Sequence, residues 1–252
     1  MLSPQQFPGV QADVHRIANN YQAERGQPPI RGDMSNVVMP HGGTRMIARQ
    51  YGTIPQYDSG EAASRSYAAL EEETGRQFDI MTRSRSKGGL GLSAHTSPVD
   101  PYGRTDTSQP FADKPNEIMR DLKADVGGNS RIRGLATATT GGSDSFKHPD
   151  TNDMFRVVHD LFGHVAANRG IDRHGEEAAY QHHRQMFSPA ARPALASELR
   201  GQTAYLLTRG EFVHQTKHGL GYDSGPLHPQ QFGENPLALS AEAQEENRKQ
   251  GL

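Results

Sequence analysis

The segment from Met154 to His164 constrains the fold of this chain more than any other stretch. Its apolar residues Met154, Val158 and Phe162 recur at helical spacing, so one face of the helix should be packed rather than solvated. The same segment contains His159 and His164. A buried imidazole must form a hydrogen bond or bind a ligand, because a buried polar group without a partner is costly. The pattern therefore predicts a buried helix whose two histidines bind a ligand, with a metal ion as the candidate.

The rest of the chain has few apolar residues for its length. Only 33% of the residues are hydrophobic, the mean hydropathy is -0.77, and the chain contains 27 Gly and 16 Pro. Apolar residues are concentrated in a few segments, so we expect a mainly α fold with long loops and a few short strands. The prediction is a single catalytic domain over residues 1–225, with a helical metal-binding core at about 115–210. Residues 226–252 are predicted to be a polar C-terminal tail.

Apolar periodicity and end signals locate the other elements. Helices are predicted at about residues 10–24, 60–82, 115–126, 174–187, 193–209 and 240–250, and a short strand at about 132–139. Residues 82–114 are predicted to be a loop that includes a small basic cluster, Arg83, Arg85 and Lys87. A long loop of this kind is either solvated or functional, and a lid over a site is one interpretation.

Charge and cysteine content exclude several classes of function. The formal net charge of -2 gives no basic surface for nucleic acid or an anionic membrane. The absence of cysteine excludes disulfides, thiolate metal sites, iron–sulfur clusters and a cysteine nucleophile. Neither a secretory signal nor an apolar run of membrane-spanning length is visible. We therefore expect a soluble cytoplasmic protein, with a homo-oligomer left open.

The spacing of the two histidines restricts how they can share a ligand. Nine of the 12 histidines fall between His148 and His228, which marks the C-terminal half as the site of chemistry. Five residues correspond to a rotation of about 140° around a regular helix, against about 40° for four, so His159 and His164 do not share a face. The helix must distort or end between them, and Gly163 is placed to allow either a helix end or a π-bulge.

A third ligand should be a buried carboxylate on another helix, and Glu198 is the best candidate. Its neighbours Leu195 and Leu199 make that helix largely apolar, where an ionised glutamate is costly unless it is paired or binds a metal. Two histidines and one carboxylate form the facial set that binds Fe(II) and leaves positions for dioxygen and substrate. The structural alternative is that the histidines are satisfied core or capping residues and that Glu198 pairs with Arg192 or Arg200.

The segment His159-Asp160-Leu161-Phe162-Gly163-His164 resembles the His-Glu-Leu-Leu-Gly-His segment of the pterin-dependent aromatic amino acid hydroxylases. In that family both histidines and a later glutamate bind iron, so the resemblance implies Fe(II) on His159, His164 and Glu198. It also implies an organic reductant as co-substrate. The family's Pro-Glu-Pro-Asp lead-in and its substrate-binding arginine have no counterpart here, so the resemblance does not extend to a pterin or an aromatic amino acid. Two other stretches, 187–193 and 197–202, are similar to uncharacterised phage and bacterial proteins.

Other polar side chains are candidates for supporting roles. Asp160 is predicted to orient a ligand histidine or a bound water. Glu177 is predicted to support the metal ligands or to bind a second metal, and Tyr205 to line the pocket. The helix between the ligands offers a larger set for a second metal or for outer contacts, namely Glu176, Glu177, His182 and His183. The alternative interpretation of that helix is a solvated polar face.

Together these features predict a metal-dependent oxidoreductase, a non-heme Fe(II) oxygenase or hydroxylase. Its partners would be dioxygen and a small organic or amino-acid-derived substrate, and a reductant or the substrate itself would supply electrons. One alternative is a zinc-type hydrolase that uses the same ligands, with Asp160 or Glu177 as base. The other is a non-enzymatic, phage-type structural protein in which the motif only joins helices.

Overall fold

The fold was described from a computed structural model of the chain. The described residues are 9–54, 60–99, 101–102, 115–136, 150–210 and 225–249, with Phe7, Phe146, His148 and Leu252. Part of the predicted loop, residue 100 and residues 103–114, lies outside this set, and so does the end of the predicted strand, residues 137–139.

Helices dominate the architecture. They are α1 (Val10–Glu24), α2 (His41–Thr53), α3 (Glu61–Thr82), α4 (Pro115–Gly128), α5 (Asp150–His159), α6 (Arg173–Arg184), α7 (Arg192–Ala196), α8 (Gln202–Arg209) and α9 (Pro236–Lys249). Two π-helical segments interrupt them: Asp160–Val165 continues α5, and Ser197–Gly201 joins α7 to α8. The two strands β1 (Ser93–Ser97) and β2 (Arg131–Leu135) pair in parallel, with α4 between them in sequence. The mainly α, single-domain fold is confirmed.

The segment around the two histidines lies in the centre of this arrangement. The π-helical segment 160–165 packs between α1 and α6, while α5 packs against α3 and β2. At Gly134 in β2, an added Cβ would lie 2.8 Å from the Cγ1 atom of Val157, so the strand can approach α5 only because this residue has no side chain. Val158 and Phe162 are fully buried, as the apolar periodicity predicted, whereas Met154 is only half-buried; Leu161 is also fully buried.

The C-terminal helix α9 packs on the N-terminal end of α6. Leu239 and Ala243 are buried in a small apolar cluster with Val38. Beside them, the guanidinium of Arg173 donates to Glu242 Oε1 at 2.6 Å. Residues 236–249 of the predicted tail therefore cover part of the core.

Candidate metal centre

The π-helical segment brings the two histidines together. In a π-helix the backbone hydrogen bonds run from residue i to i+5, so residues five apart lie one above the other along the helix. His159 ends α5 and His164 lies in the π-helical segment. Their ring centroids are 5.1 Å apart and the rings are nearly perpendicular. The predicted distortion between the histidines is confirmed, and it takes the π-helical form.

Gly163 has a steric role in this turn. A Cβ at this position would lie 2.8 Å from both Nδ1 and Cε1 of His159 and 3.3 Å from Cβ of Ala179 on α6. The backbone of Gly163 is not in the left-handed region, since its φ is not positive. The glycine is therefore needed for the space that it leaves to the His159 ring and to α6, rather than for backbone freedom.

Substitution of this glycine tests the arrangement. The Gly163→Ala variant should bind a divalent metal more than about tenfold more weakly, because the methyl group displaces the His159 ring. A Co(II) titration followed by visible absorption measures the affinity. Gly75→Ala is the matched control, since a Cβ on that helical glycine meets nothing within 4 Å. Equal affinities in Gly163→Ala and the wild type would contradict the geometry.

Three potential ligands converge at this point: His159, His164 and Glu176. One candidate ligand atom from each lies within 4.8 Å of the other two. His164 Nε2 is 3.5 Å from Glu176 Oε1, and both histidines are buried. Glu176 lies in the first turn of α6, whose N-terminus is capped by the Asp172 side chain. The short connection from the π-helical segment to this cap returns the chain to a point beside His164.

Hydrogen bonding determines which nitrogen of His164 faces the carboxylate. Nδ1 lies 3.0 Å from the carbonyl oxygen of Arg169 and 3.1 Å from that of Gly170. Since carbonyl oxygens only accept, Nδ1 carries the hydrogen, and in the neutral ring Nε2 presents a lone pair to Glu176. Two acceptors that face each other across 3.5 Å need a cation or a proton between them. Metal-binding histidines characteristically donate their other ring N–H in this way.

Arg169 fixes the loop that supplies these carbonyl groups. Its side chain is buried, and Nη1 donates to the carbonyl oxygens of Met34 at 2.7 Å and of Ser35 and Val37 at 3.3 Å. The backbone around residue 169 is therefore tied to the segment that precedes α2. This anchoring holds the carbonyl groups that orient His164.

Glu198, the carboxylate predicted as third ligand, is not a member of the group that His159 and His164 form. It lies in the second π-helical segment, and its oxygens accept hydrogen bonds from Tyr67 Oη at 2.6 Å and Gln202 Nε2 at 3.0 Å. Burial raises the pKa of Glu198 to about 7, although these bonds and the charge of Arg156 oppose the shift. Among the described residues, the carboxylate that lies beside both histidines is Glu176 rather than Glu198.

The raised pKa of Glu198 predicts a pH-dependent stability. The folded state keeps a proton that the unfolded chain releases near pH 4.5, so stability should fall as the pH rises from about 4.5 to 7. The loss should be on the order of 3 kcal/mol, and Glu198→Gln should remove it because the amide does not titrate. Urea unfolding of the metal-free proteins at pH 5, 6, 7 and 8 measures the effect. Parallel pH profiles for the two proteins would refute the prediction.

The residues predicted for supporting roles have separate surroundings. Both oxygens of Glu177 accept hydrogen bonds from Arg200, and Gln181 donates to Oε1 at 2.8 Å. Asp160 is buried, and its charge adds to the burial that raises the pKa of Tyr102. The Tyr205 ring packs against Tyr51, with 6.1 Å between centroids.

The two adjacent histidines on α6 differ in their contacts. His182 Nδ1 donates to the carbonyl oxygen of Phe162 at 2.6 Å, which joins α6 to the π-helical segment. His183 contacts His159, with 3.2 Å between their Nδ1 atoms. Burial lowers the pKa of both rings, to about 4 for His182 and well below its usual value for His183, so both are neutral.

A second cluster of potential ligands, His174 with Glu242 and Glu246, lies between α6 and α9. Here the backbone N–H of Met39 donates to His174 Nδ1 at 3.0 Å. Nε2 of His174 faces the two glutamates, and Nη2 of the Arg173 guanidinium lies 3.2 Å from the same nitrogen. The positive charge of Arg173 therefore already occupies this place beside His174 and Glu242. The cluster is consistent with hydrogen bonding rather than with a metal site.

A narrow cleft, with room for about one water molecule, adjoins the candidate metal centre. Glu176 and Glu177 form part of its wall together with Leu199 and Thr203. Because Glu176 belongs to both the cleft and the ligand group, a small molecule in the cleft would lie next to a bound metal. The cleft is far smaller than the sites of about 300–1,000 Å³ that hold drug-sized ligands.

Sequence reasoning gave Glu176 only as one of several possible outer or second-metal residues. The sequence does contain a signal for Glu176: Asp172 is a helix-capping residue, and it places Glu176 in the first turn of α6, a short connection after His164.

Comparison with known proteins adds no assignment: no protein-family model matches the chain, and neither a curated protein nor a solved structure matches it.

Proposed function

We propose that this protein is a non-heme Fe(II)-dependent oxygenase or hydroxylase in which His159, His164 and Glu176 bind the metal. The observation that best supports the proposal is the facing pair of acceptors, His164 Nε2 and Glu176 Oε1, at 3.5 Å. With His159 beside them, they offer two neutral nitrogens and one carboxylate, the ligand set typical of such enzymes. Bound Fe(II) supplies open positions at which dioxygen is activated.

The protein's own residues would orient these ligands and exclude water. The carbonyl groups of residues 169 and 170 keep the hydrogen of His164 on Nδ1. The buried helices around the histidines limit access to the cleft on the Glu176 side. Leu199 lines that cleft, and the walls of the cleft would have to move apart to admit a small organic substrate.

The environment of Glu177 favours the oxygenase over the zinc-type hydrolase. A hydrolase needs a base that removes a proton from the metal-bound water, and Glu177 was one of the two predicted bases. Both Glu177 oxygens accept hydrogen bonds from Arg200, and the two side chains are each 1% exposed. These bonds, together with a third from Gln181, direct both carboxylate oxygens of Glu177 to Arg200 and Gln181.

Metal analysis tests the proposal. Protein purified without oxygen and loaded with Fe(II) should bind one iron per chain and consume dioxygen when a substrate is present. His159→Ala should bind no iron, whereas His95→Ala, which removes an exposed histidine on β1, should bind a full equivalent. Preference for zinc together with hydrolytic activity would support the hydrolase instead. If the wild-type protein binds neither metal, the structural role is the remaining hypothesis.

A further inference from the structure

Three buried side chains from three helices form a hydrogen-bonded chain that ends at the metal centre. His159 Nδ1 lies 3.2 Å from His183 Nδ1, and His183 Nε2 lies 2.8 Å from Gln77 Oε1. Gln77 on α3 and His183 on α6 are fully buried, and His159 at the end of α5 is 7% exposed. The remote residue Gln77 is thus linked to a candidate ligand through one imidazole.

The direction of each hydrogen bond follows from the glutamine. Gln77 Nε2 donates to the carbonyl oxygen of Met186 at 3.5 Å, which turns the amide oxygen towards His183. An amide oxygen only accepts, so His183 carries its hydrogen on Nε2 and, as a neutral ring, has a lone pair on Nδ1. His159 must then donate from Nδ1, which leaves its Nε2 without a hydrogen.

We propose that Gln77 and His183 are positioning residues that keep the hydrogen of His159 on Nδ1 and so present its Nε2 lone pair to the metal. The inference rests on the proposed metal centre. In His164, backbone carbonyl groups keep the hydrogen on Nδ1. The same tautomer is thus fixed by backbone groups in His164 and by side chains in His159. Outer hydrogen bonds of this kind typically change metal affinity by about 10–100-fold.

The metal-free wild-type protein gives a direct test that needs neither metal nor activity. Long-range ¹H–¹⁵N correlation spectra distinguish protonated from bare ring nitrogens in a neutral histidine. We expect the hydrogen on Nδ1 in His159 and on Nε2 in His183. A hydrogen on Nε2 of His159 would overturn the inference.

Substitutions of Gln77 test the consequence for metal binding. Gln77→Met removes the acceptor and should weaken Co(II) binding about 10–100-fold. Gln77→Glu keeps an acceptor towards His183 and should restore the affinity. Gln22→Met is the matched control, since Gln22 is equally buried but donates to the backbone carbonyls of Gln185 and Pro28 and to no histidine. Wild-type affinity in Gln77→Met would overturn the inference.

The outcomes separate this inference from the proposed function. If the wild-type protein binds no Co(II) or Fe(II), the metal centre is refuted, whatever the tautomer of His159. If the wild type binds metal and Gln77→Met binds it equally well, only the role of Gln77 and His183 is refuted. A circular dichroism melt of each metal-free variant shows whether that variant is folded. If Gln77→Met does not fold, the tautomer of His159 in the wild-type protein is the test of the inference.

Discussion

Glu176→Gln should lose more than about a hundredfold in Fe(II) or Co(II) affinity, whereas Glu198→Gln should bind either metal as the wild type does. The loss should exceed the tenfold to hundredfold effect of outer contacts, because the substitution removes the negative charge of a direct ligand. The structure groups Glu176 with both histidines, and it places Glu198 in hydrogen bonds with Tyr67 and Gln202. Titration of each metal-free variant measures the affinities.

The two variants are matched, since each replaces one glutamate on a helix by its neutral isostere. The reverse result, with metal lost in Glu198→Gln and kept in Glu176→Gln, would show that the ligand set predicted from the sequence is the functional one. Loss in both variants would indicate that both carboxylates are needed. Each result is informative only where circular dichroism shows the variant to be folded.

The largest effect on stability is expected at the ion pair between Glu177 and Arg200. Both side chains are 1% exposed, and two nitrogens of the guanidinium donate to the two carboxylate oxygens. Arg200→Met should lower the free energy of unfolding by about 3–5 kcal/mol, because it leaves a buried carboxylate without its countercharge. Urea unfolding at pH 7 measures the loss.

A double variant separates the ion pair from general packing at the same place. Glu177→Leu combined with Arg200→Met should recover most of the stability, since neither charge remains buried. Arg65→Met on the exposed face of α3 is the control and should leave stability unchanged, because Arg65 and its partner Glu61 are largely exposed. A double variant as unstable as Arg200→Met would show that shape, rather than charge, is responsible.

Much of the helical framework could be predicted from local patterns. Helices were predicted at 10–24 and 60–82, and they are observed as α1 and α3 within one residue at each end. The helix α2 was not predicted, because its first turn contains Gly42 and Gly43, which are poor helix formers. Tertiary packing provides the reason for that helix: Ile47 and Tyr51 are buried in the cluster that includes α7 and α8.

The strands and the residues predicted for supporting roles also depend on tertiary contacts that local patterns do not predict. A short strand was predicted at about 132–139, and β2 is observed at Arg131–Leu135. Its partner β1 lies within residues 82–114, which were wrongly predicted to be all loop, because β1 is polar and half-exposed and only its pairing with β2 identifies it. The pairing of Glu177 with Arg200 joins residues 23 positions apart in sequence. Contacts of that kind depend on how helices pack, and no periodicity within one helix encodes them.

The sequence by itself determined that His159 and His164 are five residues apart in a packed helix with a glycine between them. That spacing is a local property: the two rings can face one ligand only if the turn departs from the regular α-helix, and the glycine leaves the space for it. Only the tertiary structure decided which carboxylate completes the group. Glu198 lies on an apolar helix and Glu176 on a polar one, and Glu176 belongs to the group because α6 begins beside His164. The hydrogen positions on the histidines were likewise decided by partners from other segments, the carbonyls of residues 169 and 170 and the amide of Gln77.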